Sequence, residues 1–228
     1  MTTVNQPPAR YARHLARVAR VRAAGLYLVT LGSILGLYET TVRPAGASRD
    51  LRLVLGAAAV LSAVLARRAS TAAQRASRGV VSERRVATAL TRLRPTALYN
   101  NLLLGAGGDA DHVVVGPWLA VVETKTGRGH VSCDEAGVRV GTRRIPGDPL
   151  AQVRRQADAL SRRLNRHVTP ILCVVDMYGP PQSVRGITVC SLGDLANVVR
   201  VTPALTVLDV ERVCRALSTL PREDLARQ

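Results

Sequence analysis

Two uncharged apolar runs lie early in the chain, at residues 23–38 (AAGLYLVTLGSILGLY) and 53–66 (LVLGAAAVLSAVLA). Neither has the polar stripe of helical period that marks a surface helix on a soluble domain. Each falls short of the roughly 18–20 residues that cross a bilayer. Their flanks extend them, since Arg67 and Arg68 close the second run and arginines can snorkel, while Tyr27 and Tyr38 suit an interface. The pattern predicts a two-helix transmembrane hairpin over 23–68, its apolar part at 23–66, with a polar connection at Pro44, Gly46 and Ser48. A basic segment over 1–22, with Arg10, Arg13, Arg17, Arg20 and Arg22, precedes it. A small, polar linker over 69–79 (ASTAAQRASRG) follows. Basic residues on both sides place both ends in the cytoplasm. A buried helical pair is the alternative. A cleaved signal peptide is disfavoured, because no small-residue cleavage site precedes a polar start.

Beyond 79 the periods change. Residues 81–93 read as a helix with Val86, Ala89, Leu90 and Leu93 on one face. Residues 97–104, 110–115 and 119–125 read as strands, separated by a loop with Gly105, Gly107 and Gly108 and by Gly116-Pro117-Trp118. One or two shorter strands are expected over 129–145. Asp148-Pro149 then opens a helix, with Asp as N-cap and Pro at the first position. It runs to about Asn165 and buries Leu150, Val153, Ala157, Leu160 and Leu164. A buried strand over 169–176 follows, another over 186–191, and short helices near 192–199 and 209–218. The order is α-β-β-β-α-β with additions, giving an α/β domain over 80–200 and a C-terminal helix and tail over 201–228.

Charge narrows the partners. The net charge of +16 predicts polyanionic neighbours, either nucleic acid or an anionic membrane face. Residues 1–82 hold 12 Arg and two acidic residues, while 83–228 hold 20 basic and 14 acidic residues, so the larger excess lies outside the predicted domain. Lys125 is the single lysine. A lysine offers a compact, tunable amine that arginine cannot imitate. The four cysteines and four histidines are scattered without metal-ligand spacing, which disfavours zinc. Cys173 and Cys190 sit in apolar runs and read as core thiols. No disulfide framework is visible, so a reducing compartment is the default.

The chemistry concentrates in DADHVVVGPWLAVVETKT, residues 109–126. Alternate residues of a strand share a face, so Glu123 and Lys125 point the same way as Leu119 and Val121. If Gly116-Pro117-Trp118 is a three-residue loop, Val115 lies opposite Leu119 and Asp111 opposite Glu123. Two carboxylates so placed have Cβ atoms about 4.5–5.5 Å apart and repel unless a cation or proton lies between them. The residues alone leave two options open: a metal site, or an acid–lysine ion pair capping a sheet end. Asp109 shares strand parity with Asp111 and is its rival. His112 alternates to the opposite face and reads as structural.

A helix, then Asp on the second strand, then Glu-x-Lys on the third, resembles the PD-(D/E)xK nuclease superfamily. SERRVATAL (82–90), DADHVVVGPWLAVVETKTGRGHV (109–131) and DPLAQ (148–152) are similar in finer detail to the nuclease-related domain, NERD. The resemblance covers roughly residues 80–190. It implies an α/β, restriction-endonuclease-like αβββαβ core with a mixed central sheet. It also implies that Asp111 and Glu123 bind Mg²⁺ or Mn²⁺ with the backbone carbonyl of Thr124. Lys125 would orient or deprotonate the attacking water, or stabilise charge on the phosphate. Gln152 would contact the site, and Glu83 matches the family's acidic residue on the first helix. Two departures occur: Thr126 stands where Asn is common, and Ser82-Glu83 where Gly-Glu is common.

On the 149–166 helix Arg155, Arg162 and Arg166 fall within about 40° of one another, opposite the apolar face. They could follow a nucleic-acid backbone or simply be solvated; without interleaved aromatics, base stacking has no support. The expectation is a metal-dependent nuclease at the bacterial inner (cytoplasmic) membrane, its nuclease domain in the cytoplasm. It would act on DNA ahead of RNA, and homodimerisation is left open. Two other readings remain: a nuclease-fold binding module without turnover, and a structural membrane protein whose domain binds another protein.

Overall fold

The computed structural model describes residues 10–42, 49–105, 108–134 and 137–220. Residues 1–9 of the basic segment, the connection at Pro44, Gly46 and Ser48, the loop glycine Gly107 and the tail from 221 lie outside them. The chain divides into a helical unit, Tyr11–Arg78, and a unit that begins at Gly79.

The apolar runs form helices α1 (Arg10–Val42) and α2 (Arg49–Thr91). Ala16–Val42 and Arg49–Thr91 are both long and apolar enough to cross a membrane. Only 11% of the apolar window in each is buried, and Leu28, Leu31, Leu35, Leu53, Val60 and Leu61 are exposed. Within this unit Thr30 Oγ1 and Ser62 Oγ lie 2.8 Å apart in a hydrogen bond. Residues 69–79 are helical and belong to α2, not to a linker. Their small, polar composition suggests a loop, but Ala69, Ala72, Ala73, Gln74, Arg75 and Ala76 are strong helix formers. The helix expected over 81–93 is the last part of α2.

The second unit is α/β. After α2 come β1 (Ala97–Leu103), β2 (Asp109–Val115), β3 (Leu119–Asp134), β4 (Gly137–Val140) and β5 (Arg143–Arg144). Then follow α3 (Pro149–Leu164), β6 (Thr169–Tyr178), β7 (Gln182–Val184), β8 (Ile187–Ser191), α4 (Leu195–Arg200) and α5 (Val207–Ser218). The strand order is β1-β2-β3-β6-β8-β7, with β4 and β5 branching from β3. The β3–β6 and β6–β8 pairs are parallel, and the others antiparallel, so the sheet is mixed.

Alternation along β3 divides the core. Leu119 and Val121 join Leu150, Val153, Ala157 and Leu160 of α3 in one apolar cluster. Ala120 and Val122 join Val86 and Leu90 of α2 and Leu195 and Val199 of α4 in the other. The α3 helix forms as its cap signal predicts: Asp148 accepts a hydrogen bond from the Ala151 amide, Pro149 starts the helix, and Asn165 ends it in left-handed conformation. Residues 129–134, expected as a separate strand, continue β3 beyond a bulge between Thr126 and Gly129. Gly127 permits this bend, since a Cβ there would meet Val140 Cγ2 at 2.8 Å. Strand β7 has only three residues and shows no period in the sequence.

Candidate active site

The β2–β3 hairpin carries the site. Val115 pairs with Leu119 as the three-residue loop requires, and the ladder runs to His112 opposite Val122. It stops one pair short of the expected Asp111–Glu123 step. There the Asp111 carboxylate takes the Thr124 amide in place of a backbone acceptor, at 2.7 Å. That bond fixes Asp111 beside Thr124 in the first half of β3, on the same α3 face as Glu123 and Lys125.

Glu123 is buried, and both of its oxygens are engaged. Lys125 Nζ donates to Oε1 at 2.6 Å and Gln156 Nε2 donates to Oε2 at 2.8 Å. Lys125 Nζ also donates to Gln152 Oε1 at 3.1 Å. The lysine is thus aimed by a carboxylate on its own strand and an amide one turn into α3. Gln152 and Gln156 are four residues apart, so both face the sheet from one side of the helix. Gln156 Nε2 further donates to the Asp109 carbonyl at 2.6 Å, while its own Oε1 is buried without a partner among the described residues.

The local charge is unbalanced. Burial, then the Glu123 charge, then the Glu83 charge push the Asp111 carboxyl well above the ordinary carboxylate range. The Thr124 amide and Lys125 pull the other way without reversing the shift. Three carboxylates therefore act on one locus beside a single lysine, which disfavours full ionisation in the absence of a further cation. The available donors are hard oxygens, suited in kind to Mg²⁺ or Mn²⁺. Among the described residues no group of three or more His, Cys, Asp or Glu side chains is placed to hold a metal. A cation here would draw on two carboxylates, the Thr124 carbonyl and water.

The sequence-predicted residues separate clearly. Asp111, Glu123, Lys125 and Gln152 meet, and Glu83 reaches the site through its charge. Asp109 is exposed, and its backbone, not its carboxylate, serves the site. His112 lies on the α2 face as alternation requires, hydrogen-bonded to Asn100 at 2.6 Å, and burial pushes it down to about 3. Arg155 and Arg162 are exposed. Arg166 departs from the expected stripe, because its guanidinium is held by Asp209 at 2.6 Å. Gln156 was missed by the sequence reading. Its one signal is the i, i+4 spacing to Gln152 on a flank of the apolar face.

Residues 78–176 match the nuclease-related domain family, NERD. No curated protein and no solved structure matches the chain.

Proposed function

We propose, from the premise that residues 78–176 are a nuclease-related domain of the PD-(D/E)xK superfamily, that this chain is a membrane-anchored, divalent-metal-dependent nuclease. It would hydrolyse phosphodiester bonds of DNA or RNA. One observation carries the reading: Lys125 Nζ is held between Glu123 at 2.6 Å and Gln152 at 3.1 Å, on the sheet face that also carries Asp111.

Asp111, Glu123 and the Thr124 carbonyl would hold Mg²⁺ or Mn²⁺. Such an ion polarises a phosphoryl oxygen and lowers the pKa of its bound water. Lys125 orients the attacking water or neutralises charge on the phosphate. Gln152 keeps the ammonium turned toward the site. Gln156 fixes Glu123 and ties it to the start of β2. Glu83 adds negative charge that favours cation over proton at Asp111. Arg155 and Arg162, exposed on α3, are free to meet phosphates, whereas Arg166 contributes through Asp209 to the fold. The helices α1 and α2 would anchor the chain by residues 23–66. The flanking arginines would keep the nuclease domain in the cytoplasm at a bacterial inner membrane.

The test is Mn²⁺-dependent cleavage of plasmid DNA and of RNA by the full-length protein, beside Glu123→Ala and Lys125→Ala. Cleavage by the wild type, lost in both folded variants, is the expected result. Absence of cleavage with an intact metal site sinks hydrolysis.

A further inference from the structure

A cleft of about 830 Å³ opens on the other side of the sheet, between the last turns of α2 and helix α4. Arg84, Arg85, Arg92 and Arg200 line it, with Asp176 as its single carboxylate. Arg84 lies on the last part of α2 and Arg92 in the turn just after its final residue, and both are exposed, as is Arg200. Arg85 is committed to Asp176 at 2.7 Å. Among the described residues no carboxylate pairs with Arg84, Arg92 or Arg200. Three exposed guanidiniums line one concavity, which concentrates positive potential there and suits an anionic ligand.

The cleft also occupies a position that the fold favours for ligands. β3, β6 and β8 run parallel, and Asp176 and Ser191 mark the carboxyl ends of β6 and β8, where open α/β sheets bind small molecules. Part of the wall is apolar, formed by Leu93, Met177 and Leu192. The volume falls in the range of small-molecule sites, about 300–1,000 Å³. None of Asp111, Glu123, Lys125 or Gln152 lines it. Thr126, which alternates to this side, is held by Ser82 at 3.0 Å, so the sheet separates the cleft from Lys125.

We propose that this cleft is a second, non-catalytic site for a nucleotide unit. Its phosphate would lie on Arg84, Arg92 and Arg200, and its base or sugar against the apolar wall. Arginine forks match phosphate oxygens in pairs. The phosphate could belong to a free nucleotide or to one unit of a strand. The site goes beyond the proposed hydrolysis and does not depend on it.

The experiment uses the full-length protein in EDTA, so that neither metal nor turnover enters. The probes are AMP, adenosine and a labelled single-stranded 12-mer, measured for the wild type, for Arg84→Gln/Arg92→Gln, and for Arg212→Gln/Arg215→Gln as a charge-matched control on α5. AMP binding above adenosine that weakens about tenfold or more in the cleft variant but not in the control supports a free nucleotide. A 12-mer that alone weakens, with the log–log salt slope reduced by about 1.4, supports a strand. Equal loss in the control, no change in the cleft variant, or no binding of either probe overturns the proposal. Absence of cleavage in a separate Mn²⁺ assay would remove the hydrolysis and leave this site untouched.

Discussion

Asp111 and His112 are neighbours in the chain, yet they belong to opposite faces of one sheet and obey opposite rules. His112 is fully buried on the α2 side with a neutral partner, Asn100, and burial alone pushes it down to about 3. The fold meets that position by keeping the imidazole uncharged. Asp111 lies on the α3 side beside Glu123 and Lys125, and burial with the charges of Glu123 and of Glu83 on α2 pushes it up. There the fold leaves charge uncompensated. A buried ionisable group with a neutral hydrogen-bond partner is part of a core. A partly buried carboxylate beside other carboxylates calls for a cation, and such imbalance is a mark of a working site.

The largest effect expected from this contrast is on the α3 face. Lys125→Ala should lower Mn²⁺-dependent cleavage by about 10²–10⁴-fold, the usual loss when a positioned proton-handling or charge-stabilising group is removed. Lys125→Arg should not restore it, because a planar guanidinium does not fit between Glu123 and Gln152. Full rescue by arginine would make Lys125 a simple positive charge.

The next effect lies on the α2 face. The folded pKa of His112 is below its ordinary value of 6.5, so the unfolded chain takes up a proton that the folded chain refuses. The stability from this group is complete above pH 6.5 and is lost as pH falls toward about 3. The slope approaches about 1.4 kcal/mol per pH unit. Urea unfolding at pH 7.5, 6.5, 5.5 and 4.5 should show this slope in the wild type and a shallower one in His112→Gln. Equal slopes would mean that His112 is not the acid-sensitive group.

Gln156 joins the site to the strand framework, and its removal should be felt in both. Gln156→Leu leaves Glu123 Oε2 and the Asp109 carbonyl without their donor, which should cost about 1–3 kcal/mol in unfolding free energy. Cleavage should fall with it. An unchanged melting curve would remove Gln156 from the site. The smallest effect is expected at Arg166. Asp209→Ala breaks a solvent-screened ion pair and should shift the melting curve little. Any gain in nucleic-acid affinity would show that Asp209 withholds Arg166 from the stripe.

Much of this arrangement is written in local signals. The Asp148-Pro149 cap fixes the start of α3, and the three-residue loop at Gly116 fixes the register that brings Asp111 toward Glu123. Period-two alternation sends Lys125 to one face and His112 to the other. What stayed hidden depends on contacts far apart in sequence. Gln156 resembles any helix glutamine until the sheet covers it. Arg166 continues the helical spacing of Arg155 and Arg162 in the sequence, but α3 ends at Leu164 and Asp209, 43 residues away, takes its guanidinium. The continuity of α2 through 69–79 was obscured because small polar residues suit both a linker and a helix. Arg84, Arg92 and Arg200 share a cleft only once α4 and the end of β6 pack beside the last turns of α2.

The central claim, that unbalanced carboxylates at Asp111 make a cation site, is tested most directly by titrating full-length protein with Mn²⁺ and following the free-ion signal by electron paramagnetic resonance at pH 6.0 and 8.0. The expected result is a site that binds more tightly at the higher pH, because a proton must leave Asp111, and that disappears in Asp111→Asn and Glu123→Gln. In the metal-free state Asp111→Asn should raise the melting temperature at pH 8.0, since the lifted carboxyl contributes a penalty that grows as pH rises from the ordinary carboxylate value toward its raised folded value. Binding of Mn²⁺ that survives both substitutions, or no binding by the wild type at either pH, would contradict it.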